Sequence, residues 1–377
     1  MFPFRTKPPA RTAVGWEHLV IRPDTKLSPA DRRRVEKAIR RAKKEGKIAR
    51  TAQQTIPYKE MYQDGICHIQ NQLYSKSVCC EDINYKEASD DEKTVLFELY
   101  CKLVNYFGPS VGFELSVVCY PADLEEYRKI LAIPAQGDQF DVIRKEYSDM
   151  LVRQVSKSRY ERRICVTFTI EAENIKQARS RLSQIESDVI NHFRALSVDT
   201  VPMNGYERLA VFHKCLHLEE PRKFRFNWDS LNKTGLSSKD YIAPSSFYFK
   251  DGRYFRSGAT FGAVSFLQIR ATKIYDNLLD DLLNLEGSQI VSIHAKALDQ
   301  NAALKMVKRK LSDLDKAKID EQKRAVRSGF DMDILPPDLV TFGKEAQKLL
   351  EDLQNHDEKM FLVTILITHA APTRQKL

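Results

Sequence analysis

The chain has 377 residues, 42% hydrophobic and 29% charged, a balance that leaves room for two or three packed domains and excludes a low-complexity or disordered polymer. Its net charge of +9 is uneven: residues 1–50 hold 15 Lys+Arg against 5 Asp+Glu, and the other 327 hold 45 against 46, so the body is neutral and the basicity belongs to a leader. Seven cysteines at irregular spacing, with no C-x-x-C, exclude a disulfide framework and fit a reducing compartment.

Residues 1–26 are rich in Pro and cations and read as an extended tail. Ser28-Pro29-Ala30-Asp31 then carries a helix start: a capping hydroxyl, a proline suited to the first turn, and an acid at the positive end of the dipole. The helix runs to Gly46 with a thin apolar content, and so reads as a surface helix. Its cations, Arg32, Arg33, Arg34, Lys37, Arg40, Arg41, Lys43 and Lys44, suit nucleic acid or an anionic membrane surface; a solvated tail is the plainer reading.

From Thr55 the pattern turns to α+β. Ile66–Gln70 and Tyr74–Tyr85 read as strands around a polar turn, opened by Asp64-Gly65. Asp90-Asp91-Glu92 starts a helix whose stripe is Leu96, Leu99/Tyr100, Leu103 and Phe107, ended by Gly108-Pro109. A strand follows at 113–120, helical segments at 122–132 and 138–157, a strand at 163–171, and a long helix at 174–196 with Leu182, Ile185, Val189 and Phe193 on one side. Residues 206–218 read as helix and 221–239 as an irregular loop.

The order then repeats. Asp251-Gly252 opens strands at 247–250 and 254–269, a short helix covers 275–285, and a strand covers 289–298. Two longer helices follow, with apolar residues Leu304, Val307, Leu311 and Leu314 on one and Leu339, Phe342, Leu349 and Leu353 on the other. That spacing predicts an antiparallel helical hairpin over 301–356, either lying on its own sheet or protruding to grip a partner. The strand 360–368 closes the series, and Cys165–Ile170 echoes Leu362–Ile367.

Catalytic patterns are sought without success. The two Gly-Lys pairs, Gly46-Lys47 and Gly343-Lys344, lack the first glycine and the hydroxyl residue of a P-loop. His213 and His217 share one helical face, but Cys215 points elsewhere and Glu207 or Glu219 alone completes no closed metal site, so ordinary surface histidines are expected. Asp276, Asp280 and Asp281 read as a solvated helix face. Arg222-Lys223-Phe224-Arg225-Phe226-Asn227-Trp228 interleaves cations with aromatics, which suits stacking on single-stranded nucleic acid or a loop clamped to the domain by its rings.

Several short segments carry a family likeness. Thr55-Ile56-Pro57-Tyr58-Lys59-Glu60-Met61-Tyr62-Gln63-Asp64-Gly65-Ile66, Asp82-Ile83-Asn84-Tyr85, Met203-Asn204-Gly205-Tyr206-Glu207-Arg208-Leu209 and Leu335-Pro336-Pro337-Asp338-Leu339 resemble, in order, the amino-terminal region of conjugative-transfer ATPases. These are the type IV secretion motors of the CagE/TrbE/VirB family, TraE-like branch. The resemblance spans about residues 51–377. It implies that a motor domain carrying ATP and Mg lies outside this chain, that no cofactor belongs to the chain itself, and that the chain docks on inner-membrane channel subunits and neighbouring protomers at the cytoplasmic face.

The expectation is therefore a basic leader (1–50) and two related mixed-sheet α/β-sandwich units of order ββαβ–helical insert–β (51–243 and 244–377). The second carries the long hairpin and stops before its last helix. There is no P-loop domain and no transmembrane segment. The chain is expected to be a non-catalytic docking and assembly module; the alternative is a stand-alone nucleic-acid-binding accessory protein using the leader with Arg222, Lys223 and Arg225.

Overall fold

The computed structural model describes residues 49, 51–83, 85–155, 160–220, 223–268, 279–285, 287–328, 337–355 and 358–377. The leader helix expected at 29–46, with all its cations, lies outside the described residues, as do Arg222, Asp276 and residues 329–336.

Among the described residues eleven strands form one sheet. In chain order they are β1 (Glu60–Met61), β2 (Cys67–His68), β3 (Leu73–Cys80), β4 (Val111–Pro121), β5 (Tyr160–Glu171), β6 (Thr200–Pro202), β7 (Phe247–Tyr248), β8 (Phe255–Ser257), β9 (Thr260–Leu267), β10 (Ser288–Ala297) and β11 (Phe361–Ala371). Across the sheet they run β1-β2-β3-β5-β4-β10-β11-β9-β8-β7, with β6 also on β3. The described helices are α1 (Ala52–Thr55), α2 (Asp90–Tyr106), α3 (Leu124–Leu131), α4 (Asp141–Val155), α5 (Ile175–Ala195), α6 (Gly205–Leu216), α7 (Trp228–Thr234), α8 (Ser238–Ile242), α9 (Asp280–Leu283), α10 (Gln300–Arg327) and α11 (Pro337–Asn355).

The α+β class holds, and two corrections follow. The strands make one continuous sheet in place of two, because β4 pairs with β10 from Gly112↔Lys296 to Cys119↔Gln289. The sheet is also antiparallel in every described pair, where a mixed one was expected. The reason is the split β-α-β arrangement: β3 and β4 run the same way, but β5 inserts between them, so each has an antiparallel neighbour. On the other side, β11 likewise separates β9 from β10.

The ladders on the two sides end alike. The outer ladders end at Cys80↔Ile164 and Leu267↔Ile365, and the inner ladders at Pro121↔Tyr160 and Ala297↔Phe361. Ser116 stands five residues before Pro121, Ser292 stands five before Ala297, and the two are paired across the β4–β10 seam.

One sheet face is apolar. Val78, Val166, Phe168 and Ile170 meet α2 and α5 through Leu103, Phe107, Ala178, Leu182 and Val189. Burying each such large side chain contributes roughly 1.5–3 kcal/mol, an upper bound against a compact unfolded chain. Asn174 caps α5 by accepting from Gln177 N–H, and Ser89 with Glu92 makes a capping box on α2. Lys76 reaches through this layer to Glu186 on α5 at 2.7 Å, with both side chains nearly covered. The apolar face continues across the seam through Val117, Val291, Ile365 and Ile367, covered by Leu282 and Leu283. The opposite face is polar near the middle: Ser77 and Thr167 share a 2.8 Å hydrogen bond, Ser116 donates to Glu114 at 2.7 Å, and His294 Nδ1 lies 3.6 Å from Glu114. Helix α6 lies over this face, with Val211 and Cys215 packing near Val118, Tyr120 and Ile290.

Two local expectations are revised. The strand expected over 254–269 breaks into β8 and β9 at Gly258, whose φ of +59° makes a tight turn that continuous strand cannot. The stretch 221–239 is not wholly irregular: Asn227 caps α7, which ends at Gly235 in the left-handed region, and α8 begins at Ser238.

Candidate functional site

The helical inserts expose large apolar side chains. In the first, α3 and α4 pack chiefly on each other. The turn between them is tied from within: Arg144 Nη1 bonds Asp138 Oδ1 at 2.5 Å and Asp141 Oδ1 at 2.6 Å, and the Gln136 and Gly137 N–H groups both donate to Asp141, each at 2.8 Å. Ile133 N–H donates to Ser148 Oγ at 3.0 Å. The Arg144 guanidinium holds the Asp138 carboxyl below its ordinary value. Yet Ile130, Phe140, Val142, Ile143, Tyr147 and Met150 are all exposed, Ile130 at 70% and Val142 at 67%. An arm ordered by its own polar bonds while its large apolar side chains face solvent is the pattern of an interaction surface.

In the second insert, α10 spans 28 residues and packs along α11. The expected hairpin residues are only partly joined. Val307 and Leu353 are buried with Ala303, and Leu304 and Leu311 pack beside them. Leu314, Leu339 and Phe342 are half-buried. Leu349 is exposed, and Leu350 takes its place. The seam of α11 thus follows Phe342, Ala346, Leu350 and Leu353, nearer the 3.6-residue period than the spacing read from sequence. The shorter arm, passed over in favour of this hairpin, is the more apolar of the two outside. Its signal lay in the sequence: Ile130, Phe140, Val142 and Ile143 stand in segments with no matching stripe on a neighbour. Val264, Phe266 and Leu362 form a further exposed apolar area on the polar-side face of the sheet.

Two of the segments that carry the family likeness, 55–66 and 203–209, meet at a joint. Gly65 adopts φ +83°, and a Cβ there would stand 2.0 Å from Met203 O. Gly205 N–H donates to Gln63 O at 3.0 Å. Asn204 caps α6 with a reciprocal bond from its N–H to Glu207. Arg208, one turn along, donates to Gly65 O at 2.7 Å and Ser75 O at 2.9 Å. Tyr58 bonds Ser238 at 2.9 Å, and burial pushes its phenol well above the ordinary value. These residues lock the β1–β2 hairpin, α6 and α8 together.

His213 in α6 and His217 at its C-cap are both buried, which corrects the surface reading. Their rings stack at 4.1 Å, and His213 also contacts Phe224. Among the described residues no group of three or more potential ligands is placed to hold a metal. In the 223–228 segment the rings turn inward, Phe224 toward Tyr206 and Phe226 toward Trp228 and Tyr241, while Lys223 and Arg225 face out. Lys223 lies 3.5 Å from Asp123, so one of its two exposed cations is engaged within the chain. Among the described residues no helix is long and apolar enough to cross a membrane.

No family model matches this chain, and no curated protein matches it.

Proposed function

We propose that the chain is a docking and assembly module of a type IV secretion ATPase, built from two related ββαβ–insert–β units that share one sheet. The corresponding ladder ends on the two sides of the β4–β10 seam, with Ser116 and Ser292 paired at its midpoint, support the duplication. The observation that carries the docking reading is the α3–α4 arm, internally bonded and apolar outside. The resemblance supplies the partner: inner-membrane channel subunits at the cytoplasmic face, with neighbouring protomers as a second contact. On this reading ATP turnover belongs to a motor domain and not to this chain, which binds its partners without chemistry of its own.

The test is flotation with inner-membrane vesicles that carry the channel subunits, against vesicles that lack them. Wild-type chain should float only with the former, and the triple variant Ile130→Asp, Val142→Asp, Ile143→Asp should remain soluble and folded but not float. Equal flotation of the variant would sink the arm as the docking surface. Equal flotation with both vesicles would sink the channel-subunit partner.

A further inference from the structure

Between α6 and the polar sheet face lies a cavity of about 390 Å³, within the range of small-ligand sites. Its floor is hydroxylic, with Ser77, Thr167 and Ser116, and one wall is apolar, with Val211, Phe212 and Ile290. Arg208 also lines it and is only 3% exposed.

A guanidinium carries five N–H donors. The described bonds of Arg208 are three, all to neutral oxygens: Nη1 to Gly65 O and Ser75 O, and Nη2 to Ser75 Oγ at 3.1 Å. Its Nε–H is buried without a partner. Nε and Nη2 together form the edge by which arginine grips a carboxylate with two parallel bonds. A buried cation without a paired anion is unfavourable, and here the unfilled edge belongs to a residue that lines a cavity. Burial pushes the guanidinium below its ordinary value, in the same sense.

We propose that this cavity binds a small organic monoanion, a carboxylate with an apolar body, its carboxylate on the Nε–Nη2 edge of Arg208 and its body against Val211 and Phe212. One cation sets the charge at one: Glu114, on the sheet floor of the same cavity, opposes a dianion such as phosphate. The apolar wall selects for a hydrophobic body. The proposal is independent of the docking reading.

The experiment is calorimetric titration of the full chain with 3-phenylpropionate, its neutral primary amide and inorganic phosphate. The carboxylate should bind at least ~10-fold more tightly than the amide, as two charge-assisted bonds require, and phosphate should not compete. Arg208 also holds Gly65 and Ser75, so its removal risks the fold. Val211→Trp fills the cavity from the helix and leaves the arginine's bonds intact; it should abolish carboxylate binding while the far-UV spectrum stays unchanged. Absence of binding, equal binding of acid and amide, preference for phosphate, or undiminished binding in Val211→Trp would each overturn the proposal.

Discussion

Replacing Gly205 by alanine sets two effects of opposite sign against each other. Gly205 opens α6, where alanine is the better helix former by up to ~1 kcal/mol. But a Cβ there would stand 2.2 Å from Tyr62 O and 2.7 Å from the Trp228 ring. The backbone cannot easily retreat, because Tyr62 O accepts from Gly65 N–H at 3.1 Å and Gly205 N–H donates to Gln63 O. Overpacking of this kind costs about 1–3 kcal/mol, and loosening a backbone bond adds about 1 kcal/mol. The expected net is a destabilisation of roughly 2 kcal/mol once the helix gain is deducted. Urea unfolding followed by far-UV circular dichroism measures it, with Gly112→Ala as the control. A Cβ at Gly112 would meet Thr169 Cβ at an ordinary 3.6 Å, so that variant should equal or exceed wild type. A Gly205→Ala chain as stable as wild type would refute the idea that residues 62–65 and 203–208 form a close-packed joint.

Lys76→Ala should destabilise by about 3–5 kcal/mol, since it leaves Glu186 charged beneath α5, where Oε1 already lacks a partner. The double variant Lys76→Met, Glu186→Leu should return to within ~1 kcal/mol of wild type in the same unfolding assay, because a packed apolar pair replaces the buried ions. The hydrogen bond from Cys165 draws the Cys79 thiol below its ordinary value, while burial holds Cys80 up to about 12. Iodoacetamide labelling followed by peptide mass spectrometry should therefore modify Cys79 first near neutral pH, and Cys165→Ala should slow it. In the opposite sense, the buried thiols of Cys80 and Cys215, both up to about 12, give stability that is full below their ordinary value of 9.0. That stability is lost as pH rises from 9 toward 12.

What sequence made legible follows the range of the interactions. Helix α5 was readable because its cap, Asn174, and its stripe, Leu182, Ile185 and Val189, all lie within one segment. The break at Gly258 and the short helix α7 were missed, although Gly258 and the Asn227–Gly235 pair mark them, because aromatic and cationic residues drew the reading toward strand and loop. The expected echo set Cys165 beside Leu362, whereas the corresponding ladder ends set Ile164 beside Ile365. A four-residue shift preserves the alternation of faces, so the pattern alone did not reveal it. The joining of both halves into one sheet was not legible, since β4 and β10 alternate as well at an edge as in the interior. The arm obeys the same rule: its apolar residues, Phe140, Ile143, Tyr147 and Met150, stand in the sequence, but that no neighbour covers them is a long-range fact.

The β4–β10 seam has a mechanical consequence. Its hydrogen bonds lie across the strands, so a pull directed along them is borne in shear by all eight paired positions together. Tension entering at one insert would pass to the other half through these pairs. A protein tethered on one side and tugged from the other would act as a rigid strut, transmitting displacement from one end to the other.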